Sequence, residues 1–187
     1  MRQGATSGLR FTTFETALGW CAIAWSQRGV ARFRLPDPSE RATEARMRAL
    51  ASPGAPPAYV SDAIALSKRY FDGEDVSFDG VPLDFSGVEA FSLKLYEAIR
   101  ALRRGQTTTY GAPAQSPGAP QDAARAVGQA MGSNPIPLIV PCHRVLGAGD
   151  TIGGFSAPGG SKSKARMLAM EGVRLNKADP SQNAFDF

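Results

Sequence analysis

The segment Pro141-Cys142-His143-Arg144-Val145 places the chain's single histidine beside one of its two cysteines. A thiol attacks carbon as its thiolate, and a free cysteine with a pKa of about 8.5 is mostly protonated at neutral pH. Cys142 therefore needs a base or a cation, and His143 is adjacent. Neighbouring residues of an extended strand point to opposite faces. A Cys142–His143 contact thus requires a bend after Pro141 or a water between them. His143 in turn needs an acid to fix its tautomer, in the manner of a triad. Glu171, which closes the Ala/Met-rich stretch "KARMLAME", is the candidate. Plainer readings stand beside these: an inert buried thiol, a structural histidine and a solvated carboxylate at a helix end.

Composition narrows the setting. The 187 residues suffice for one medium domain or two small ones, and 43% apolar residues suit a packed core. No apolar run is long enough to span a bilayer and no secretory leader is evident, so a cytoplasmic protein without a membrane partner is expected. Cys21 lies in the apolar stretch "GWCAIAW" and reads as a buried free thiol. Two cysteines and one histidine supply neither a disulfide framework nor a zinc set, so no metal and no cofactor are expected. Charge is uneven: residues 1–90 sum to −1 and residues 91–187 to +5. A basic second half suits a polyanion, although an ordinary solvated surface gives the same count.

The elements that must position Cys142 follow from periodicity. "VARFRLP" alternates, with Ala31, Phe33 and Leu35 on one face, and pairs with "GWCAIAWS" through the "QRG" turn. "DPSERATEARMRAL" reads as a helix with Asp37 as its N-cap and Pro38 at the first position. "SPGAPP" at 52–57 is a loop, residues 58–71 form a second helix, and "FDGVPLDFSG" is extended. A boundary near residues 84–90 gives an N-terminal α/β domain, 1–86, and a mostly helical domain, 87–187. In the latter, Ser86 and Glu89 have capping-box spacing ahead of a helix carrying Phe91, Leu95, Ala98, Ile99 and Leu102. Thr109 can cap a short helix, "SPGAP" turns the chain, and residues 121–132 form a second helix. Two short helices around a tight turn suit a helix-turn-helix, and equally plain helix packing. Ala124, Ala126 and Gly128 leave the second helix little bulk, with Arg125 as its long cation, so it can approach a partner closely. Leu138–Val140 reads as a buried strand between prolines. "GAGDTIGGFSAPGGS" is a Gly-rich loop, and Gly172 ends a final helix.

Taken together, "NPIPLIVPCHRV", preceded by "TTYG" and "ARAVGQAM" and followed by "GGFSAPGG…K…MLAMEG", closely resembles the O6-alkylguanine-DNA alkyltransferase family. The likeness is dense from about residue 78 to 175. Upstream it rests on layout and on "RYFDGE". The resemblance implies an α+β fold in two parts, the second with a helix-turn-helix and the acceptor cysteine. It implies direct-reversal repair of double-stranded DNA, by a monomer that transfers an alkyl group once from guanine O6, or thymine O4, to its own cysteine. Cys142 would be that acceptor. His143 would act on it through a water, Glu171 would stand behind His143, and Asn134 would orient the network. Tyr110 would donate to the departing guanine. Arg125 would fill the gap left by a flipped nucleotide, with Thr109, Ala124, Ala126 and Gly128 at the DNA. Val145, Phe155, Ser156 and Lys164 would form the pocket. Three departures stand out. Pro113 falls where the family continues the first helix of its helix-turn-helix, a position near the first turn where a proline is tolerable, Arg103-Arg104 replaces a common Ile-Pro pair, and the zinc ligands of some N-terminal domains are absent. Rival readings are a damage-binding relative, which would lack the cysteine, a Cys-His hydrolase, and a sequence-specific regulator, for which the second helix offers few polar side chains.

Overall fold

A computed structural model describes residues 8–111 and 123–175. The fold is α+β and divides into two compact units. One runs to Gly87 and includes Pro135–Pro137; the other takes Val88–Asn134 and the chain from Leu138 on.

The first unit is built on a four-stranded sheet in the order β3-β2-β1-β4. Strands β1 (Arg10–Thr16), β2 (Gly19–Ser26) and β3 (Gly29–Asp37) are antiparallel neighbours, and β4 (Ser52–Pro53) runs parallel to β1. Every residue from Cys21 to Trp25 is buried, which explains why "CAIAW" is apolar throughout rather than alternating. Helix α1 (Glu40–Arg48) sets Met47 against Phe11, Ala22 and Ala24. Helix α2 (Ala58–Phe71) packs on β1, β2 and β3 and buries Val60, Ala63, Tyr70 and Phe71. Cys21 is buried and free, and burial pushes its thiol up to about 12, so it is chemically silent. Three expectations change here. The N-cap of α1 is Ser39, whose hydroxyl accepts from the Ala42 N–H at 3.2 Å, while the Asp37 carboxylate accepts from the Ser39 N–H and binds Arg46. The loop at 52–57 begins with the two residues of β4. The Ser86–Glu89 box does not form. Asp84 is buried, and the hydroxyl of Ser86 is taken up by its carboxylate, so Glu89 caps the next helix without a side-chain bond. On the outer edge of β3, the Phe33 N–H donates to the Pro135 carbonyl at 2.9 Å.

The second unit contains α3 (Ala90–Arg100), β5 (Thr108–Thr109), α4 (Ala123–Gly132), β6 (Val145–Leu146) and α5 (Ser161–Met170), with β5 and β6 parallel. Leu95, Tyr96 and Ile99 form the buried stripe of α3; Phe91 and Ala98, expected on it, are exposed. The Tyr96 hydroxyl donates to the Ala130 carbonyl at 2.7 Å and ties α3 to α4. Leu138–Val140 is buried but is a turn rather than a strand, because Leu138 has a φ of 78°. Helix α5 ends in a Schellman motif: Gly172, at φ 79°, donates to Ala169, and Val173 donates to Leu168. Leu168 and Val173 then share an apolar cluster with Leu146 and Ile152. The expected first helix of the helix-turn-helix, with Pro113 and the "SPGAP" turn, lies outside the described residues.

Candidate active site

Pro141 determines how Cys142 is presented. Its φ of −79° and ψ of 64°, with the Cys142 N–H donating to the Val140 carbonyl at 2.8 Å, make an inverse γ-turn. The proline ring holds φ near that value without strain. The chain then enters a single 3₁₀ turn, Cys142–Arg144. A 3₁₀ turn advances about 120° per residue, so consecutive side chains diverge without being opposed. The chain thus bends after Pro141, and no direct bond joins the Cys142 and His143 side chains among the described contacts. The Asn134 amide donates to the same Val140 carbonyl at 2.9 Å and bonds the Cys142 side chain.

The second turn residue meets the end of α5. His143 is fully buried, with Nε2 at 2.7 Å from Glu171 Oε1. Glu171 is the C-cap of α5, the end of a helix that disfavours an anion. Arg144 offsets this. Its Nε lies 2.9 Å from Oε2 and its Nη2 2.9 Å from Oε1, a bidentate pair, and its Nη1 donates to the Leu102 carbonyl. Burial alone would raise the Glu171 carboxyl, but the bonds from His143 and Arg144 and their charges hold it far below the usual carboxylate range. An ionised carboxylate only accepts, so Nε2 carries the proton and Nδ1 is the basic nitrogen of a neutral ring. Burial pushes the His143 pKa down, against the pull of Glu171. Arg144 was not singled out from the sequence, although it sits inside the motif; nothing in its spacing marks it as the partner of Glu171.

Cys142 is 5% exposed and lines a cavity of about 420 Å³ together with Tyr110, Gly128, Met131, Gly132, Gly154, Phe155 and Ser156. Burial pushes its thiol up; the Asn134 amide, the Lys164 charge and the backbone N–H groups of Cys142 and His143 pull the other way. The resting group is a thiol. Burial and the neighbouring Cys142 likewise raise the Tyr110 phenol, so it stays protonated and can donate. Two of the four expected pocket residues are placed differently. Phe155 and Ser156 line the cavity, but Val145 and Lys164 do not. Val145 is fully buried in β6. Lys164, also fully buried, donates from Nζ to the Val145 carbonyl at 2.6 Å and lies 5.5 Å from the centre of the Tyr110 ring. Burial lowers its pKa to about 8, and Cys142 opposes that shift. On α4, Arg125 and Ala124 are exposed and Ala126 is partly buried, while Gly128 faces the cavity. Thr109 sits in β5 opposite Leu146. Met131, Gly132 and Gly154 were not foreseen as lining residues. A small residue one helical turn after Gly128 was the available signal for Gly132.

Comparison with known proteins gives a consistent picture. The family model described as 6-O-methylguanine DNA methyltransferase, DNA binding domain, matches residues 90–173. A methylated-DNA--protein-cysteine methyltransferase of Mycolicibacterium paratuberculosis is 34% identical over 87% of this chain and 92% of its own length. One of Methanothermobacter thermautotrophicus is 36% identical over 64% of this chain, and that match spans 65% of the relative. Among solved structures, Mycobacterium tuberculosis OGT in complex with DNA superposes with a TM-score of 0.70 at 34% identity, covering 87% of this chain and 93% of that one.

Proposed function

The chain belongs to the O6-methylguanine-DNA methyltransferase family, the methylated-DNA–protein-cysteine methyltransferases, and on that premise we propose that it repairs alkylated guanine in DNA by moving the alkyl group onto Cys142. The observation that carries this reading is a thiol on the wall of a base-sized cavity, with a neutral, carboxylate-oriented imidazole behind it. Such a base cannot react inside the duplex stack, so it has to swing out into the cavity. Small-residue helix α4 is the element that lies against the DNA, and Arg125, exposed on it, fills the gap. The Cys142 proton passes through a water to His143 Nδ1, and Glu171 stabilises the imidazolium that forms. Sγ attacks the alkyl carbon, an S–C bond forms and the C–O6 bond breaks. The electron pair goes to the guanine, to which the Tyr110 hydroxyl donates. A thioether results, and the protein is spent after one transfer. Both described cysteines are free, which suits the reducing cytoplasm, where the protein acts as a monomer. No helix among the described residues is long and apolar enough to cross a membrane.

The test is incubation with duplex DNA bearing O6-methylguanine, followed by counting repaired guanine and mapping the modified peptide. Repair should plateau at one equivalent per protein, with the added methyl on the peptide that contains Cys142. Sustained turnover would favour a hydrolase, and an unmodified Cys142 would overturn the assignment.

A further inference from the structure

We infer that the turn Leu102–Gln106 is a clip that positions the His143–Glu171 pair, with Arg104 and Gly105 as positioning residues. The inference rests on the alkyl-transfer reading of Cys142. Glu171 is the C-cap of α5, and the last four carbonyls of a helix have no partner within it. The Schellman motif accounts for Leu168 and Ala169, and the Glu171 N–H bonds Met167. The Met170 carbonyl, next to Glu171 in the chain, accepts instead from Arg104 Nη2. One residue on, the Gly105 N–H points at Glu171 Oε2 at 3.4 Å. Two residues before Arg104, the Leu102 carbonyl accepts from Arg144 Nη1, the cation that pairs with Glu171. One short segment therefore touches the backbone beside the carboxylate, the carboxylate itself and its counter-ion.

The segment has its own closure, so it can impose this geometry. The Arg103 N–H donates to the Gln106 side-chain oxygen at 2.8 Å, and the Gln106 N–H donates to the Arg103 carbonyl at 3.0 Å. Gly105 has a φ of 76°, and a Cβ there would stand 3.3 Å from the Glu171 carbonyl oxygen. Glycine thus allows both the turn and the close approach. Neither Arg104 nor Gly105 lines the cavity. Their influence on Cys142 runs through the carboxylate that sets which nitrogen of His143 is basic.

The single histidine makes this testable apart from catalysis. In full-length protein labelled with 15N-histidine, the wild type should show one imidazole N–H resonance, shifted downfield by its bond to Glu171 and slow to exchange. In Arg104→Met, which keeps the stem and removes the donors, that resonance should move upfield and exchange faster. Transfer from methylated duplex should fall about ten- to hundredfold, a part of what a positioned acid–base group contributes. The acid limb of its pH–rate profile should shift downward, because a loosened Glu171 no longer holds the His143 pKa up, and duplex affinity should stay unchanged. Arg104→Lys should restore most of the rate. Gly105→Ala, which crowds Glu171 from the same turn, should reproduce the spectral change without altering Arg104. A wild type that shows the resonance but transfers no methyl would remove the functional reading and leave the clip intact. Arg104→Met and Gly105→Ala proteins with the wild-type resonance and pH profile, whatever their melting temperatures, would overturn the clip.

Discussion

Replacing Glu171 by glutamine changes one atom's chemistry while keeping its shape, and the structure sets the consequence. The carboxylate is fully buried and accepts from Arg144 Nε, Arg144 Nη2 and His143 Nε2 at 2.7–2.9 Å. An amide keeps one acceptor and aims an N–H₂ at the other donor. The Arg144 guanidinium, 11% exposed, then lacks its counter-charge. Removing one partner of a buried pair typically costs about 3–5 kcal/mol, which in a chain of this size lowers the melting temperature by roughly 6–20 °C. The pH dependence follows from the sign of the shift. The folded Glu171 carboxyl is depressed below its unfolded value, so its contribution is complete above the unfolded pKa of about 4.3 and is lost only as pH falls through the folded value. The gap between wild type and Glu171→Gln in urea melts should therefore not close from pH 8 down to pH 5. Glutamine can also donate to Nε2, which moves the proton to Nδ1 and removes the base. Transfer should fall by on the order of 10²–10⁴-fold. A gap that closes between pH 8 and 5, or transfer within a factor of about two of wild type, would refute the arrangement of charges described here.

Arg125→Ala should slow repair of duplex DNA more than reaction with free O6-alkylguanine, because only the duplex must be held open at a cost of a few kcal/mol; equal losses in a single-turnover comparison would remove Arg125 from that role. Lys164, folded pKa about 8, has lost a proton that the unfolded chain keeps up to about 10.4. Stability on a Cys142→Ala background should accordingly climb between those pH values, and Lys164→Met should flatten the climb in urea midpoints. Gly128→Ala meets nothing within 4 Å and should stabilise α4 by about 0.5–1 kcal/mol. Since Gly128 lines the cavity, the same change should slow transfer of a bulky alkyl group more than of methyl; identical slowing in paired rate measurements would contradict its placement.

The parts of the fold that could be read from sequence are those with a repeating pattern. The alternation of β3 and the apolar face of α2 are of this kind, and both elements are present. Elements set by one residue's dihedral or by competition between partners were not legible. "LIV" between prolines has the composition of a strand, yet the loop from Asn134 to Cys142 closes on the Val140 carbonyl, and Leu138 adopts a positive φ to allow it. Ser86 has capping-box spacing, but a buried carboxylate two residues upstream competes for its hydroxyl. Strands of two residues, β4, β5 and β6, offer no period to detect.

In the site, the residues named from the sequence are the ones whose chemistry is scarce: the sole histidine, the cysteine beside it and a carboxylate that closes an apolar stretch. The cations were harder, and for a common reason. Lys164 was expected at the lesion, Arg144 was passed over, and Arg104 stood out only as a departure from the family pattern. Each bonds a backbone carbonyl, of Val145, Leu102 and Met170 respectively. A carbonyl is present at every residue, so it leaves no trace in the choice of side chain at the accepting position. A cation paired with a carboxylate can be inferred from two charged letters, whereas a cation paired with backbone is legible only once the chain path is known. The same path explains why these side chains tolerate enclosure. Each retains hydrogen bonds as it leaves water, and Arg144 gains a carboxylate as well, so these three cations are partnered rather than stranded.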